Sequence, residues 1–525
     1  MTKALEYDVL IIGTGIAGLT SALKLAESGL NIAIATRQQK PQYTNTYWAQ
    51  GGIIYSDRTD TSDLINDIET ASAGTSNLQA AHLLAERSGK ILEEILLEKV
   101  NAGFSRDEDG KLLFTKEAAH SKARIIFQGD QTGQSLELAL LNYLDNKERF
   151  PNINFLTSHT AIDLITPNHH GVDLRQRYEE NRILGAYIFD QKQQQVAKVL
   201  AKVTVLATGG IAALYLHHSN SDGARGDGHA MAYRAGAQVM NMEFVQFHPT
   251  TLYHRSTQRR FLISEALRGE GAILKNSKGE AFMVKYHEQK ELAPRDVVTR
   301  AIWSELIRLK NECVYLDVTH KDPTYLKERF PSIYEYCLNK KIDITKDLIP
   351  VVPSAHYTCG GVKTDLVGKT TLGNLYAVGE VACNGLHGAN RLASTSLLEG
   401  LTFGYIAAED IVKNINHFEI YPSEKIKDWT LGSEQQIDLA LVEQDWQTLK
   451  QTMWNYLGII RSRNRLGRAQ AILRELYAQV QQFYRNAMLH DELIGLRNAT
   501  EVAYMVQKAS EQNKNSIGCF YRIDD

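Results

Sequence analysis

The sequence predicts an α/β protein in three parts: a parallel-sheet domain, an α+β insertion within it, and a helical bundle towards the C-terminal end. Three observations carry this reading. A strand, a glycine turn, a helix and a second strand follow one another from Tyr7 to Arg37, the βαβ arrangement that binds dinucleotides. A strand running into a Gly-Glu turn returns at Asn374–Glu380, after a charged stretch of mixed strands and helices from about Val239 to Val352. From Ile426 to Ser510 the apolar residues recur almost wholly with helical period.

The first unit opens with the apolar run Val9–Ile12, a buried parallel strand, followed by Gly13-Thr14-Gly15-Ile16-Ala17-Gly18. Gly13 permits the tight turn, Gly15 lets the backbone approach a pyrophosphate, and Gly18 lets helix and strand pack closely. The helix N-terminus adds free N–H groups and a partial positive charge. An acid usually ends the second strand (here Ile32–Ala35) and holds ribose hydroxyls; Thr36-Arg37 stands there instead. Arg37 suits either the phosphate of NADP or the flank of an adenosine.

Asn45-Thr46-Tyr47-Trp48-Ala49-Gln50-Gly51-Gly52 is a small-residue loop, and Asp60 to Val100 reads as two helices broken near Ala73-Gly74. Short strands are expected at Phe104, Leu112–Phe114 and Ile125–Phe127, then a helix from Gln134 to Tyr143 and a meander from Asn152 to Leu206. The meander ends in Ala207-Thr208-Gly209-Gly210, and Gly226-Asp227-Gly228 opens a further helix. Past the insertion a helix is expected from Ser396 to Val412 and a linker from His417 to Ser423.

Composition narrows the classes. A net charge of −3 argues against nucleic acid or an anionic membrane as main partner. No apolar run approaches the ~18 residues of a membrane span, and a first strand beginning almost at Met1 leaves no room for a signal peptide. Five dispersed cysteines without a CxxC pair fit a reduced cytoplasm and no metal or iron–sulfur centre of the usual spacing.

Ala207–Gly210 and Gly379-Glu380 complement the glycine turn as in two-stretch FAD folds, so FAD is the expected cofactor. The fold class is then a Rossmann-like FAD-binding domain (1–238 and 354–420), an inserted α+β capping domain (239–353) that takes the substrate, and a C-terminal helical domain (421–525). Glu380 is positioned to accept hydrogen bonds from ribityl hydroxyls. Ser394 and Ser396 lie at a helix start behind Arg391, as structural N-caps or as the helix end that faces the flavin pyrimidine, where a reduced flavin is negative. Gly13–Gly18, Arg37, Asn45–Gly52, Asp227, Glu380, Ser396 and Leu397 form the expected cofactor set.

Asn45–Gly52, Phe247-His248-Pro249-Thr250, Ser264–Gly271, Ala293-Pro294-Arg295-Asp296, His356-Tyr357 and Gly385–Arg391 occur in that order. From about Tyr7 to Leu466 the set resembles the succinate dehydrogenase/fumarate reductase flavoprotein superfamily, and within it the branch that oxidises L-aspartate. The resemblance makes Arg295 the proton-transferring arginine over the flavin. Its place in a helix's first turn, against the macrodipole, has little use on a surface. A guanidinium holds its proton tightly, which suits donation better than base catalysis. His248, His356 and Arg391 resemble the family's dicarboxylate clamp, and Ser264 stands where threonine is usual, keeping the hydroxyl. Succinate-oxidising relatives carry a flavin-tethering histidine where Asn45 stands, so the FAD is expected to be noncovalent. Glu117 resembles the carboxylate beside the substrate amine, although Ala118 and Ala119 replace two glycines.

The implied reaction is FAD-dependent oxidation of L-aspartate to iminoaspartate, with hydride passing to flavin N5 and oxygen or fumarate reoxidising it. That is the first step toward quinolinate and NAD, with quinolinate synthase as a partner. A soluble fumarate reductase and a flavin-binding protein without turnover remain open alternatives. Arg461, Arg463 and Arg465 are expected on a solvated face. The end departs from the family's Ser-Arg-Gly-x-His at Ile517 and Phe520.

Overall fold

The structure, a computed structural model, describes residues 4–56, 60–117, 119–255, 259–430 and 435–524; Ala118, in the Glu117 loop, lies outside them. Its main sheet has seven strands. Six run in the order Ile153–Thr157, Ile32–Thr36, Leu5–Ile12, Gln195–Leu206, Gly185–Asp190, His159–Ile165; the seventh, Leu375–Ala377, also pairs with Gln195–Leu206. Val9 lies between Ile32 and Val203, and Ile12 between Ala35 and Leu206, all in parallel register. Val9–Ile12 is buried throughout, as a continuous apolar run in a sheet covered on both faces must be.

The strand Leu375–Ala377 joins this sheet beside Thr204–Leu206, so the two stretches of the nucleotide-binding unit share one sheet. They also share a helix contact. The first helix, Ile16–Glu27, lies against Thr395–Asn414, and a Cβ on Gly404 would come within 2.6 Å of the Ala17 carbonyl oxygen. Ser21 Oγ donates to Gly404 O at 2.8 Å across the same contact. Glycine is needed there because the two backbones approach too closely for any side chain.

Two expectations change. Phe104 lies in no strand and is instead buried in the core under the first helix layer; near it Leu112 makes only an isolated bridge to Arg106. The expected meander starts late: Ile153–Thr157 pairs in parallel with Ile32–Thr36, and only His159 to Leu206 runs antiparallel. An isolated apolar residue such as Phe104 does not distinguish a strand from a core contact, and the partner of Ile153–Thr157 lies more than 100 residues away in sequence. Thr61–Ala71 and Leu78–Leu92 are separated by Ala73 and Gly74, both at positive φ, as the sequence suggested.

The segment between the two stretches carries a four-stranded antiparallel sheet in the order Val245–Leu252, Ile349–Thr358, Val314–Asp317, Ile273–Lys275. The pairing of the first two strands slips between His248 and Thr251, an irregularity of the kind that re-aims a side chain. Helix Arg295–Leu309 packs on this sheet, Thr299 Oγ1 donating to Phe247 O at 3.2 Å.

Three helices, Leu439–Leu457, Arg463–Asn486 and Asp491–Gln512, make the C-terminal bundle. The expectation of a solvated arginine face fails at Arg461, which is fully buried. Its guanidinium donates to Leu457 O, Glu243 O and Ser510 Oγ and lies 4.8 Å from the Phe520 ring centroid, tying the bundle to the capping strand region and the chain end. Arg463 is exposed and Arg465 half-buried. At the chain end Gly518, at φ +55°, lies so close to Ala389 O that a Cβ would come within 2.4 Å. Phe520 fills an apolar cluster with Phe244 and Cys359. Among the described residues no helix is long and apolar enough to cross a membrane, and no cluster of potential metal ligands occurs.

Candidate active site

One continuous cavity runs from the glycine turn of the first βαβ unit to Arg391. An elongated path of this kind, lined by a nucleotide-type turn at one end and by charged side chains at the other, suits a dinucleotide with a second molecule at its far end.

Its first end is built by the turn. Gly13 adopts φ +119° with its α-carbon against Ala207, where a Cβ would meet the carbonyl oxygen at 2.1 Å. Gly18 does not line the cavity; it packs helix on turn, where a Cβ would meet Gly13 O at 2.3 Å. Gly15 is the N-cap of helix Ile16–Glu27 and no side chain of its own covers that N-terminus; Ile16 N–H donates to Thr46 Oγ1 at 3.0 Å. Thr14, Ile16, Ala17, Arg37 and Asp227 line the same end.

The middle of the cavity is walled by the loop Asn45–Gly52, except Tyr47, which lies outside the lining and packs edge-on against Trp48 at 4.9 Å between centroids. Asn45 holds two elements together: its Nδ2 donates to Glu380 Oε2 at 3.1 Å, and its Oδ1 accepts from Ser221 N–H at 3.0 Å. Glu380 Oε1 accepts from Thr358 N–H at 3.0 Å. Burial pushes the Glu380 carboxyl up to about 7, with the Thr358 N–H and Asn45 pulling the other way. Gln50 Oε1 and Thr208 Oγ1, on residues of the lining, are buried without a hydrogen-bond partner among the described residues, as polar groups that meet a ligand would be.

These features fit FAD. The glycine turn with its helix N-terminus would hold the pyrophosphate. Glu380, Gln50 and Thr208 offer polar atoms along the ribityl and flavin portion. Ser396, Leu397 and the start of helix Thr395–Asn414 close the far side.

Four elements converge at the far end. His248 comes from the slipped strand, His356 from its neighbour, Arg295 from a helix start and Arg391 from the loop before Thr395. The His248 and His356 rings lie 5.3 Å apart. Thr250 backbone groups engage His248 Nδ1 (O at 3.0 Å, N at 3.2 Å), and Ser219 Oγ engages His356 Nδ1 at 2.8 Å, so each Nε2 is left to the cavity. Burial, then the positive charge of Arg295, holds His248 well below the usual imidazole range; burial, then Arg391, does the same for His356. Both rings are therefore neutral, and in the Nε2–H tautomer each offers a donor to the cavity.

Arg391 makes no ion pair among the described residues. Its Nη1 donates to Ser396 Oγ (3.1 Å), its Nη2 to Gln246 Oε1 (3.2 Å), and its guanidinium lies 4.6 Å from the Tyr357 ring centroid. Tyr357 O–H in turn donates to Glu399, which also meets His387 Nε2 at 2.9 Å. A buried guanidinium with neutral partners keeps its charge available for an incoming carboxylate. Arg295 is different: its Nε is paired with Glu265, and Glu265 also faces Arg268 at 3.4 Å. Burial opposes the Arg295 charge, but Glu265 and then Glu117 outweigh it and hold the pKa up.

Glu117 reaches the cavity opposite these cations. Its Oε2 accepts from Ser394 Oγ at 2.8 Å, and Gly51 leaves room for the carboxylate, since a Cβ there would lie 2.7 Å from Oε1 and push it aside. Burial raises its pKa, with Arg295 opposing. The loop is anchored on both sides: His120 Nε2 meets Ala393 O at 3.0 Å, and Ser121 donates to Asp67 from N–H and Oγ. Ala119 takes φ +66°, a conformation that a glycine adopts freely. Neither serine at the helix start acts as a side-chain N-cap: Ser394 donates to Glu117, and Ser396 accepts from Arg391. Ser264 caps the short helix Glu265–Gly269, its Oγ accepting from Ala266 N–H at 3.3 Å, and lines the cavity.

Sequence reasoning passed over Gln246, Glu265, Arg268 and Glu399. Glu265 and Arg268 carried a signal, an acid and a base three apart at a helix start next to Ser264; Gln246 and Glu399 carried none, since their partners are about 145 and 42 residues away.

Comparison with known proteins gives one consistent result. A family model described as "FAD binding domain" matches residues 8–397, and one described as "Fumarate reductase flavoprotein C-term" matches 446–525. The chain is 41% identical to an L-aspartate oxidase of Pseudomonas aeruginosa, covering 100% of this chain and 96% of that protein. It is 42% identical to one of Acinetobacter baylyi (99% and 93%) and 37% identical to a chloroplastic one of Arabidopsis thaliana (99% and 81%). Among solved structures it superposes on a quinol fumarate reductase subunit of E. coli with TM-score 0.88 at 26% identity, covering 100% and 92%.

Proposed function

This chain belongs to the succinate dehydrogenase/fumarate reductase flavoproteins, within their L-aspartate oxidase branch, and on that premise we propose how its residues carry out the FAD-dependent oxidation of L-aspartate to iminoaspartate. The enzyme acts on a small dicarboxylate and passes electrons to an acceptor of the fumarate type. When bound, FAD supplies the hydride acceptor at flavin N5.

The single observation that carries the assignment of roles is the charge pattern at the cavity's far end. Arg391, two neutral imidazoles and Arg295, the last of these paired with Glu265, share this end with the Glu117 carboxylate, which is bonded to a serine rather than to a cation; this matches a substrate with two carboxylates and one ammonium. Arg391, His248, His356 and Ser264 hold the carboxylates; Arg391 is suited to this because no protein carboxylate competes for it. Glu117 accepts hydrogen bonds from the α-ammonium and orients the Cα–H. Arg295 supplies positive charge beside the reacting carbons and holds a proton there. Its pairing with Glu265, and Glu265 with Arg268, fixes the guanidinium and keeps it charged beside the substrate.

Asn45 leaves FAD noncovalent, as it has no ring nitrogen to alkylate. The capping domain spans 239–353, the FAD-binding domain 1–238 and 354–420, and the helical domain 421–525. The enzyme works in the cytoplasm, makes the first step toward quinolinate, delivers iminoaspartate to quinolinate synthase, and is reoxidised by oxygen as well as fumarate.

Anaerobic mixing tests the reading. L-aspartate bleaches the flavin absorbance and succinate does not. If aspartate leaves the flavin oxidised while fumarate reoxidises chemically reduced flavin, the protein is a fumarate reductase instead.

A further inference from the structure

Arg37 poses a question of selectivity. It stands at the end of the second strand, where an acid usually holds ribose hydroxyls, and an arginine near that place is how NADP sites accept the 2′-phosphate. It also lines the cavity. Its guanidinium is nevertheless already engaged. Nη2 lies 2.6 Å from Asp491 Oδ2, Nε 3.5 Å from Asp491 Oδ1, and Nη2 3.5 Å from Glu492 Oε1.

Asp491 begins the helix Asp491–Gln512, far from the βαβ unit in sequence. It is buried and held from several directions: Thr160 Oγ1 donates to Oδ1 at 2.6 Å, and Arg225 donates to Oδ1 at 2.8 Å and Oδ2 at 3.2 Å. Arg225 is itself fixed. It donates to Asp227 at 2.9 Å, and Gly495 leaves room for its guanidinium, where a Cβ would come within 2.4 Å. Asn498, one turn on, donates to Asp227 at 2.8 Å. Burial would raise the Asp491 carboxyl, but Arg225 and then Arg37 hold it below the usual range. Asp491 is thus a fixed anion that cannot swing aside for another.

We propose that Asp491 is a specificity-determining residue of the cofactor site: from the C-terminal helix it cancels the charge of Arg37 and closes the adenosine end to 2′-phosphorylated adenine nucleotides. A dianionic 2′-phosphate reaching Arg37 finds its charge cancelled by the Asp491 and Glu492 carboxylates and its Nε and Nη2 already bonded, whereas a 2′-hydroxyl carries no such penalty. Discrimination built from a repulsive group is as effective as one built from a new contact. The inference rests on the reading of this cavity as an FAD site.

The test uses the full-length chain stripped of flavin, with FAD binding followed by quenching of its fluorescence. Adenosine 5′-monophosphate and adenosine 2′,5′-bisphosphate, which differ only in the 2′-phosphate, serve as competitors. In the wild type the 5′-monophosphate competes at least tenfold better. In Asp491→Asn that preference falls at least tenfold, and Arg37→Gln added to Asp491→Asn restores it. A preference that moves less than twofold in Asp491→Asn overturns the proposal. Should that variant not fold, Glu492→Gln decides, since Glu492 is a half-exposed carboxylate that shares the Arg37 guanidinium. The preference then falls at least twofold, and an unchanged preference overturns the proposal. If FAD does not bind, the FAD reading falls and the inference with it; if FAD binds but neither nucleotide displaces it, the adenosine end is not where the proposal places it and the inference alone falls.

Discussion

Glu117→Gln separates an amine-oxidising site from a succinate site more sharply than any other single change. Glutamine keeps the shape and can still accept the 2.8 Å hydrogen bond from Ser394, so the loop held by His120 and Ser121 has no reason to move. What disappears is the negative charge facing the ammonium. Unit charges about 4 Å apart at an effective dielectric of about 20 interact by about 4 kcal/mol. Glu117 is half-buried and sits among Arg295 and Arg391, which shield it, so about 2–4 kcal/mol is a fair range. This is a loss of about 30- to 900-fold in kcat/KM for L-aspartate. Succinate, which has no ammonium and is repelled by Glu117, binds the variant as tightly or more tightly when measured as a competitive inhibitor. The pH profile adds an independent check. Only the ionised carboxylate attracts the ammonium, and burial raises its pKa, so the acid limb of kcat/KM in the wild type lies above the usual carboxylate range and vanishes in the variant. Equal losses for aspartate turnover and succinate binding would refute the charge argument and make Glu117 a structural residue.

Arg295→Leu removes a buried cation and leaves Glu265 facing Arg268; turnover falls by more than about a thousandfold, as for other lost transition-state charges, while flavin absorbance of the purified protein shows FAD retained. His229 is fully buried with neither ring nitrogen hydrogen-bonded among the described residues, and burial pushes its pKa down to about 4, as it does for His120. With folded pKa values below the unfolded ~6.5, the unfolded chain binds more protons in that window. Stability is therefore full above about 6.5 and lost as pH falls towards 4, by up to about 1.4 kcal/mol per pH unit for each such group. His229→Leu raises the midpoint of thermal unfolding by removing about 1–3 kcal/mol of unpaired polar burial, and flattens the acid limb; an unchanged midpoint and slope count against this. Gly404→Ala forces a methyl to within 2.6 Å of Ala17 O, costs about 1–3 kcal/mol as overpacking does, and weakens FAD binding in a fluorescence titration because the strain falls on the helix that faces the pyrophosphate.

Local chemistry was enough for much of this protein. The run Val9–Ile12, the turn Gly13–Gly18, the break at Ala73-Gly74 and the helical period after Ile426 are each written within a few residues, because strand burial, positive φ and helix periodicity are properties of short segments. The ordered motifs from Asn45 to Arg391 also named most of the residues that meet at the cavity's far end. Tertiary structure alone decided the pairings between distant groups. It put Phe104 in a core rather than a strand and buried Arg461 instead of leaving it in solvent. It also gave Arg391 a tyrosine face in place of a carboxylate, and brought Asp491 from the last helix to Arg37 of the first unit. A charged residue reads as exposed from its own sequence, since the free energy of burying it depends on partners that only folding brings within 3 Å. The opening βαβ unit specified that a dinucleotide binds; the electrostatic environment of its basic residue is supplied by a helix that begins at residue 491.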